Sequence, residues 1–203
     1  MKSLSEIDTV SKRASRAASY SWGVAEEVGK NIRLLEMLGL PGIKNLNDFL
    51  KKKKDLKLEN LKLIQEDNKS SNSQFCPIIS GVSFLDQIKI LENLKEIRFN
   101  KISYPLLFLP FVSRASEVIG KRIYLKLDNY EFLMNFNQSI FSNFLKIQTI
   151  ESSENVCLNI LNNQDSFNEN EWKELYKLSE NTFVEENESL KQRGAGAGLT
   201  DND

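Results

Sequence analysis

Histidine is absent from this chain of 203 residues, and its absence excludes several kinds of chemistry. Catalytic triads that use an imidazole, and zinc or haem sites that use histidine ligands, are ruled out. The two cysteines, Cys76 and Cys157, are too few for an all-thiolate zinc site, and their separation favours reduced thiols in a cytoplasmic setting. A divalent cation held by carboxylates stays open, and no other cofactor is evident.

Long apolar runs and net charge are also lacking. The longest run, residues 104–112, is about half of the ~20 residues that a membrane span needs, and it contains two prolines. The first residues lack the apolar segment of a secretory signal. A net charge of −1 gives no support for nucleic acid or an anionic membrane as a partner. The sequence predicts a cytoplasmic protein that meets a small-molecule ligand or another protein chain, including a second copy of itself.

Helical signals dominate the first quarter of the chain. Ser3 and Glu6 have the spacing of a capping box, and apolar residues at 4, 7, 10 and 14 predict the buried face of a first helix. A second helix is predicted from about 22 to 38, because Gly39 and Pro41 follow it in the usual order. A short third helix is expected around 46–50.

The middle of the chain changes character and predicts an α+β fold. Short runs rich in branched and aromatic residues predict strands at 77–82, 106–112, 123–127, 144–150 and 156–161, with one helical turn at 113–118. We therefore expect one domain over 1–203, with an N-terminal helical layer, a central mostly antiparallel sheet, a C-terminal helix and a glycine-rich tail. Its parts are 1–55 (mainly helical), 76–162 (mainly strands), 168–187 (helix) and 194–203 (acidic tail).

Charge is polarised between the two ends. Residues 1–54 hold eleven basic and six acidic residues, a balance of +5, whereas residues 165–203 hold four basic and ten acidic residues, a balance of −6. The polarity predicts attraction between the ends, within one chain or across a dimer.

The tail at 194–203 places three of the nine glycines at alternate positions. Glycine permits close approach of backbones, and Thr200, Asp201 and Asp203 add oxygens that could bind a divalent cation or a substrate amine. A phosphate loop would need a helix after it, which this segment lacks. We expect the tail to dock on the N-terminal helices with Leu199 buried; a terminus without fixed contacts is the alternative.

A second candidate segment is 21–29. A carboxylate of Glu26 beside the indole of Trp22 would have a raised pKa suited to a general acid, while Glu27 points about 100° away. The alternative is a buried Trp22 with acidic residues that favour the start of a helix. Farther along, Arg114, Lys121 and Arg122 could meet an anionic substrate, and solvated surface charges are the other interpretation.

Five segments together resemble an uncharacterised proteobacterial family that is known only as a domain of unknown function. They are residues 5–7, 20–29, 39–42, 76–78 and 194–203. The Gly-Ala-Gly-Ala-Gly-Leu-Thr-Asp-Asn-Asp run at 194–203 is the most specific, followed by the Trp-Gly-x-Ala-Glu-Glu run at 22–27. The resemblance implies a bacterial cytoplasmic housekeeping role in which both ends serve one functional unit, and it implies no mechanism.

Two hypotheses for function follow. The first is a small-molecule site, enzymatic or binding, for a cationic or amine-bearing metabolite where the tail meets the N-terminal helices. The second is a non-catalytic interaction or assembly subunit whose tail docks on a partner chain. The candidate ligand-binding residues are Trp22, Glu26, Glu27, Arg193, Thr200, Asp201 and Asp203.

Overall fold

Three helices open the chain, as the sequence predicts, and serine caps begin the first two. The computed structural model describes residues 2–137, 139–144 and 148–182. Ser3 accepts a hydrogen bond from the Glu6 amide at 3.1 Å and begins the first helix. The second helix ends before Gly39, whose φ of +73° is the left-handed conformation that glycine adopts at little cost. The three are α1 (Leu4–Ala17), α2 (Trp22–Met37) and α3 (Gly42–Lys52).

Residues 76–119 are mainly helical, so the strands predicted at 77–82 and 106–112 are wrong. Both runs are buried on nearly all sides, and a short buried helix is then as uniformly apolar as a buried strand. Pro77 and Pro110 stand in the first turns of their helices, where the missing N–H costs nothing. The turn predicted at 113–118 belongs to the second of these helices. The elements are α4 (Pro77–Asp86), α5 (Ile88–Leu91), a 3₁₀ helix (Pro105–Leu107) and α6 (Leu109–Ile119).

The strands confirm a mostly antiparallel sheet. In the described part of the chain the larger sheet has six strands in the order β2-β4-β10-β6-β7-β8, with only the β2–β4 pair parallel. A smaller sheet has the order β1-β3-β5-β9. The strands are β1 (Leu58–Glu59), β2 (Asp67–Asn68), β3 (Gln74–Phe75), β4 (Glu96–Phe99), β5 (Ile102–Ser103), β6 (Ile123–Leu127), β7 (Tyr130–Met134), β8 (Ile140–Ser142), β9 (Ser152–Ser153) and β10 (Val156–Ile160).

Three strand predictions have different outcomes. Those at 123–127 and 156–161 are confirmed as β6 and β10. The one at 144–150 is wrong where it can be checked, because Phe144 and residues 148–150 lie in no strand; residues 145–147 are outside the described residues. Ile123, Leu125 and Leu127 alternate with more exposed residues on β6 and bury one face of the sheet.

The helices pack in a way that positions the site. α2 contacts α1, α3, α4 and α6, and α4 and α6 contact each other. Ala25, Val28, Ile32 and Leu35 of α2 are buried at helical spacing. α2 is therefore packed on several sides, so the side chains on its remaining surface are held in place by a well-packed helix.

The chain divides into two compact units, Met1–Asn163 and Gln164–Asp203. The second contains α7 (Glu169–Ser179), which begins with a complete capping box between Asn168 and Glu171, and a 3₁₀ turn (Glu180–Thr182). The helix predicted at 168–187 is thus confirmed over these residues. Residues 183–203, including the predicted docking of the tail and of Leu199, lie outside the described residues.

Candidate functional site

The close pairing of α1 and α2 builds the first wall of the site. The two helices run antiparallel, because Lys12 is near Glu26 whereas Asp8 is near Arg33 farther along α2. A Cβ added to Gly29 would lie 2.6 Å from Asp8 Oδ1 and 2.8 Å from its carbonyl oxygen. Only glycine permits this approach of the two helices.

The buried side of α1 differs from the side that its apolar spacing predicts. Val10 is 55% exposed, whereas Ser11 and Ser15 are buried. Small side chains belong there because the helices are close, so packing distance outweighs hydrophobicity in setting the rotation of α1.

A cavity of about 410 Å³ lies beside this pair, between the start of α1, one face of α2 and α6. Lys30, Leu34 and Met37 follow one another along α2 at helical spacing, and Leu4 lines the opposite side. The volume is within the range of small-molecule sites, and the apolar side chains supply contact area for a ligand.

Three cationic side chains line this cavity: Lys30 and Arg33 from α2 and Arg114 from α6. Two carboxylates face them. Glu27 pairs with Arg114 and lies 2.9 Å from Lys30 Nζ, and Asp8 lies 3.8 Å from Arg33 Nη1. Among the described residues, three positive charges against two negative ones leave the cavity cationic. A guanidinium has five N–H donors, so the contacts of Arg114 with Glu27 and of Arg33 with Asp8 leave other N–H donors that can bind a ligand.

Asn31 is buried at the cavity, with 2% of its surface exposed. Both its Nδ2 and its Oδ1 are buried without a hydrogen-bond partner among the described residues. Leaving a buried polar group unpaired costs about 1–3 kcal/mol, and Asn31 leaves two such atoms unpaired, whereas each of eight other described residues leaves one. An amide that lines a cavity with both donor and acceptor unused is suited to contact a ligand.

Glu27 is held in its charged form. Burial acts to raise the pKa of its carboxyl, but hydrogen bonds from Arg114 and Lys30 outweigh burial and place the pKa below its usual range. Glu27 therefore serves as a counter-ion near neutral pH and is unsuited to act as a general acid.

The structure separates the residues that the sequence groups at 21–29. Trp22 is 57% exposed, so its interpretation as a core residue is wrong, and the Arg16 guanidinium lies 5.5 Å from its ring centroid. Glu26 is 3.5 Å from Lys12 Nζ on the α1 side of α2. Glu27 contacts the cationic cavity instead. The other candidates, Arg193, Thr200, Asp201 and Asp203, lie outside the described residues.

Sequence reasoning did not name Lys30, Asn31 or Arg33 as site residues. A signal for Asn31 was present, since an amide stands among the apolar positions of α2, directly before Ile32. Arg114 was recognised as a group for an anionic substrate, but its pairing with Glu27, 87 residues earlier, has no local signature.

A second cleft, of about 340 Å³, lies along β2, β4 and β10 and includes Cys157. The thiol donates a hydrogen bond to Glu96 Oε1 at 2.9 Å. Burial and this carboxylate raise the pKa of Cys157, so the thiol stays protonated and is a poor nucleophile. The Cys157 thiol therefore gives this cleft no activated nucleophile, and the cationic cavity is the stronger candidate site.

Metal clusters and membrane spans are both missing from the described part of the chain. Within 2–137, 139–144 and 148–182, no group of three or more His, Cys, Asp and Glu side chains is placed to hold a metal ion. Over those same ranges, no helix has both the length and the apolar character needed to cross a membrane.

Fold and site define an α+β protein with a cationic, partly apolar cavity between α1, α2 and α6. Residues 2–75 match the model of a family described as "Protein of unknown function (DUF3726)". The match supports the resemblance to an uncharacterised family and includes Lys30, Asn31 and Arg33, but not Arg114. Neither the curated proteins nor the solved structures gave a match.

Proposed function

We propose that the cavity between α1, α2 and α6 binds a small anionic metabolite that carries a carboxylate or phosphate group. One observation carries the proposal: Lys30, Arg33 and Arg114 converge on a cavity that also contains the unpartnered amide of Asn31. Charge-assisted hydrogen bonds from guanidinium and ammonium groups are the usual means of holding such anions.

The proposed ligand is an anion, whereas the sequence-based hypothesis names a cationic or amine-bearing metabolite. A cationic or amine-bearing metabolite would need free carboxylates, but Glu27 is engaged by Lys30 and Arg114, and Glu26 is near Lys12. A cationic ligand thus depends on Asp201 and Asp203 and stays a prediction. We keep the bacterial cytoplasm as the setting, which suits the free thiols of Cys76 and Cys157.

The proposal is tested by titrating the full chain with succinate and with inorganic phosphate in a calorimeter. We expect saturable binding that weakens about tenfold in Lys30→Gln and in Arg33→Gln, because each variant removes one charged contact to the anion. Lys12→Gln is the matched control, since it removes a basic residue of α1 that pairs with a carboxylate but does not line the cavity.

Two results would overturn the proposal. One is the absence of saturable binding of either anion at low salt, where such contacts are strongest. The other is an equal loss of affinity in Lys12→Gln, which would show a general effect of surface charge instead of a site.

A further inference from the structure

Asn31 differs from the three cationic side chains of the cavity in carrying no charge. Lys30, Arg33 and Arg114 recognise any anion of suitable size. The Asn31 carboxamide offers two N–H donors and one carbonyl acceptor, and none of them is used by the described residues. A simple carboxylate would use the donors and leave the buried acceptor unpaired.

Alternative partners for this amide are limited by its burial. With 2% of its surface exposed, Asn31 has little access to bulk water, and its neighbours Ile32 and Leu35 on the inner side of α2 are apolar. A group that enters the cavity and can both donate and accept a hydrogen bond would satisfy both polar atoms.

We propose that Asn31 determines specificity and that the ligand is an anion with a neutral hydroxyl or carboxamide group near its acidic group. This inference rests on the proposed anion site. A site built to bond a hydroxyl rejects the analogue that lacks it, because the buried amide is then left unpaired. The ligand class is thus hydroxy acids, amide-bearing acids or hydroxylated phosphate esters.

The experiment compares matched pairs of probes on the full chain by calorimetry. L-malate and succinate differ by one hydroxyl, as do glycerol 3-phosphate and 3-hydroxypropyl phosphate. In each pair we expect the more hydroxylated probe to bind about tenfold more tightly to the wild type, which corresponds to about 1.4 kcal/mol.

Variants assign this preference to one residue. Asn31→Leu keeps the branched shape and the number of side-chain heavy atoms but removes the donors and the acceptor, so we expect the ratio within each pair to fall to about one. Arg33→Gln is the matched control, because it should weaken both members of a pair equally and keep their ratio. Circular dichroism checks that each variant is folded, and the wild-type ratios test the inference even if Asn31→Leu does not fold.

The outcomes separate the two proposals. Equal binding of both members in the wild type would overturn the role of Asn31 and leave the anion site intact. A preference that persists in folded Asn31→Leu would do the same. Failure of all four probes to bind would overturn the anion site and the inference together.

Discussion

At the scale of single residues, Gly81 is the described glycine at which an added Cβ would come closest to another residue. A Cβ at this position of α4 would overlap the ring of Phe111 on α6. Phe111 is 1% exposed, so its ring has no space into which to move. The contact between α4 and α6, which supports the surface that carries Arg114, depends on the absence of this side chain.

We predict that Gly81→Ala lowers the free energy of unfolding by about 1–3 kcal/mol, the usual cost of overpacking a core. Gly23→Ala is the matched control, because Gly23 lies in helix α2 and a Cβ added there would have nothing within 4 Å. That variant should be neutral or up to about 1 kcal/mol more stable, since alanine favours a helix. Urea titration measures both, and equal stability of the two variants would contradict the packing argument.

Glu27 connects two elements, and at this scale it gives a prediction about pH. It joins α2 to α6 through Arg114 while also contacting Lys30. Burial opposes its charge, but the two cations hold the pKa of Glu27 below its usual value. The carboxylate therefore contributes stability that is present above the unfolded pKa of about 4.3 and is lost as pH falls through the folded pKa.

We expect Glu27→Gln to lower the free energy of unfolding near pH 7 and to approach wild-type stability as pH falls through the lowered folded pKa of Glu27, below which both chains lack this charge. Urea midpoints at pH 7 and pH 3 measure the change. Glu26→Gln is the control, because Glu26 is an exposed partner of Lys12 and such pairs contribute little. A constant difference between Glu27→Gln and wild type across this range would contradict the ionic link between α2 and α6.

Local signals explain which elements could be predicted from the sequence. α1 and α2 have serine caps, and Gly39 follows the end of α2, so both helices were recognisable. α4 and the start of α6 were taken for strands because their short apolar runs have no polar face. The proline in the first turn of each helix was the local signal against strands.

The site was less predictable than the helices, for a physical reason. Lys30, Arg33 and Asn31 share α2, but their convergence with Arg114 depends on the tertiary contact of α2 with α6. The close approach at Gly29 depends likewise on Asp8 of another helix. Sequence periodicity gives the face of a helix, whereas the partner of that face is set by packing.

At the scale of the whole molecule, the cationic cavity uses only a part of the chain. Its lining residues fall between Leu4 and Arg114. The sequence-based hypothesis instead requires the acidic tail at 194–203, and the assembly alternative gives that tail a docking role on a partner chain. The anion site, the sequence-based site and the assembly alternative therefore predict different effects of removing the tail on ligand binding and on oligomeric state.

We predict that a chain ending at Arg193 binds succinate with wild-type affinity, because it keeps every residue that lines the cationic cavity. Calorimetry on this chain and the full chain measures the comparison, with circular dichroism to verify folding. Light scattering on the same two samples tests the assembly alternative, which expects an oligomer to become a monomer when the tail is removed. Loss of succinate binding by a folded, truncated chain would contradict a complete site within the helices and would assign the tail a direct part in it.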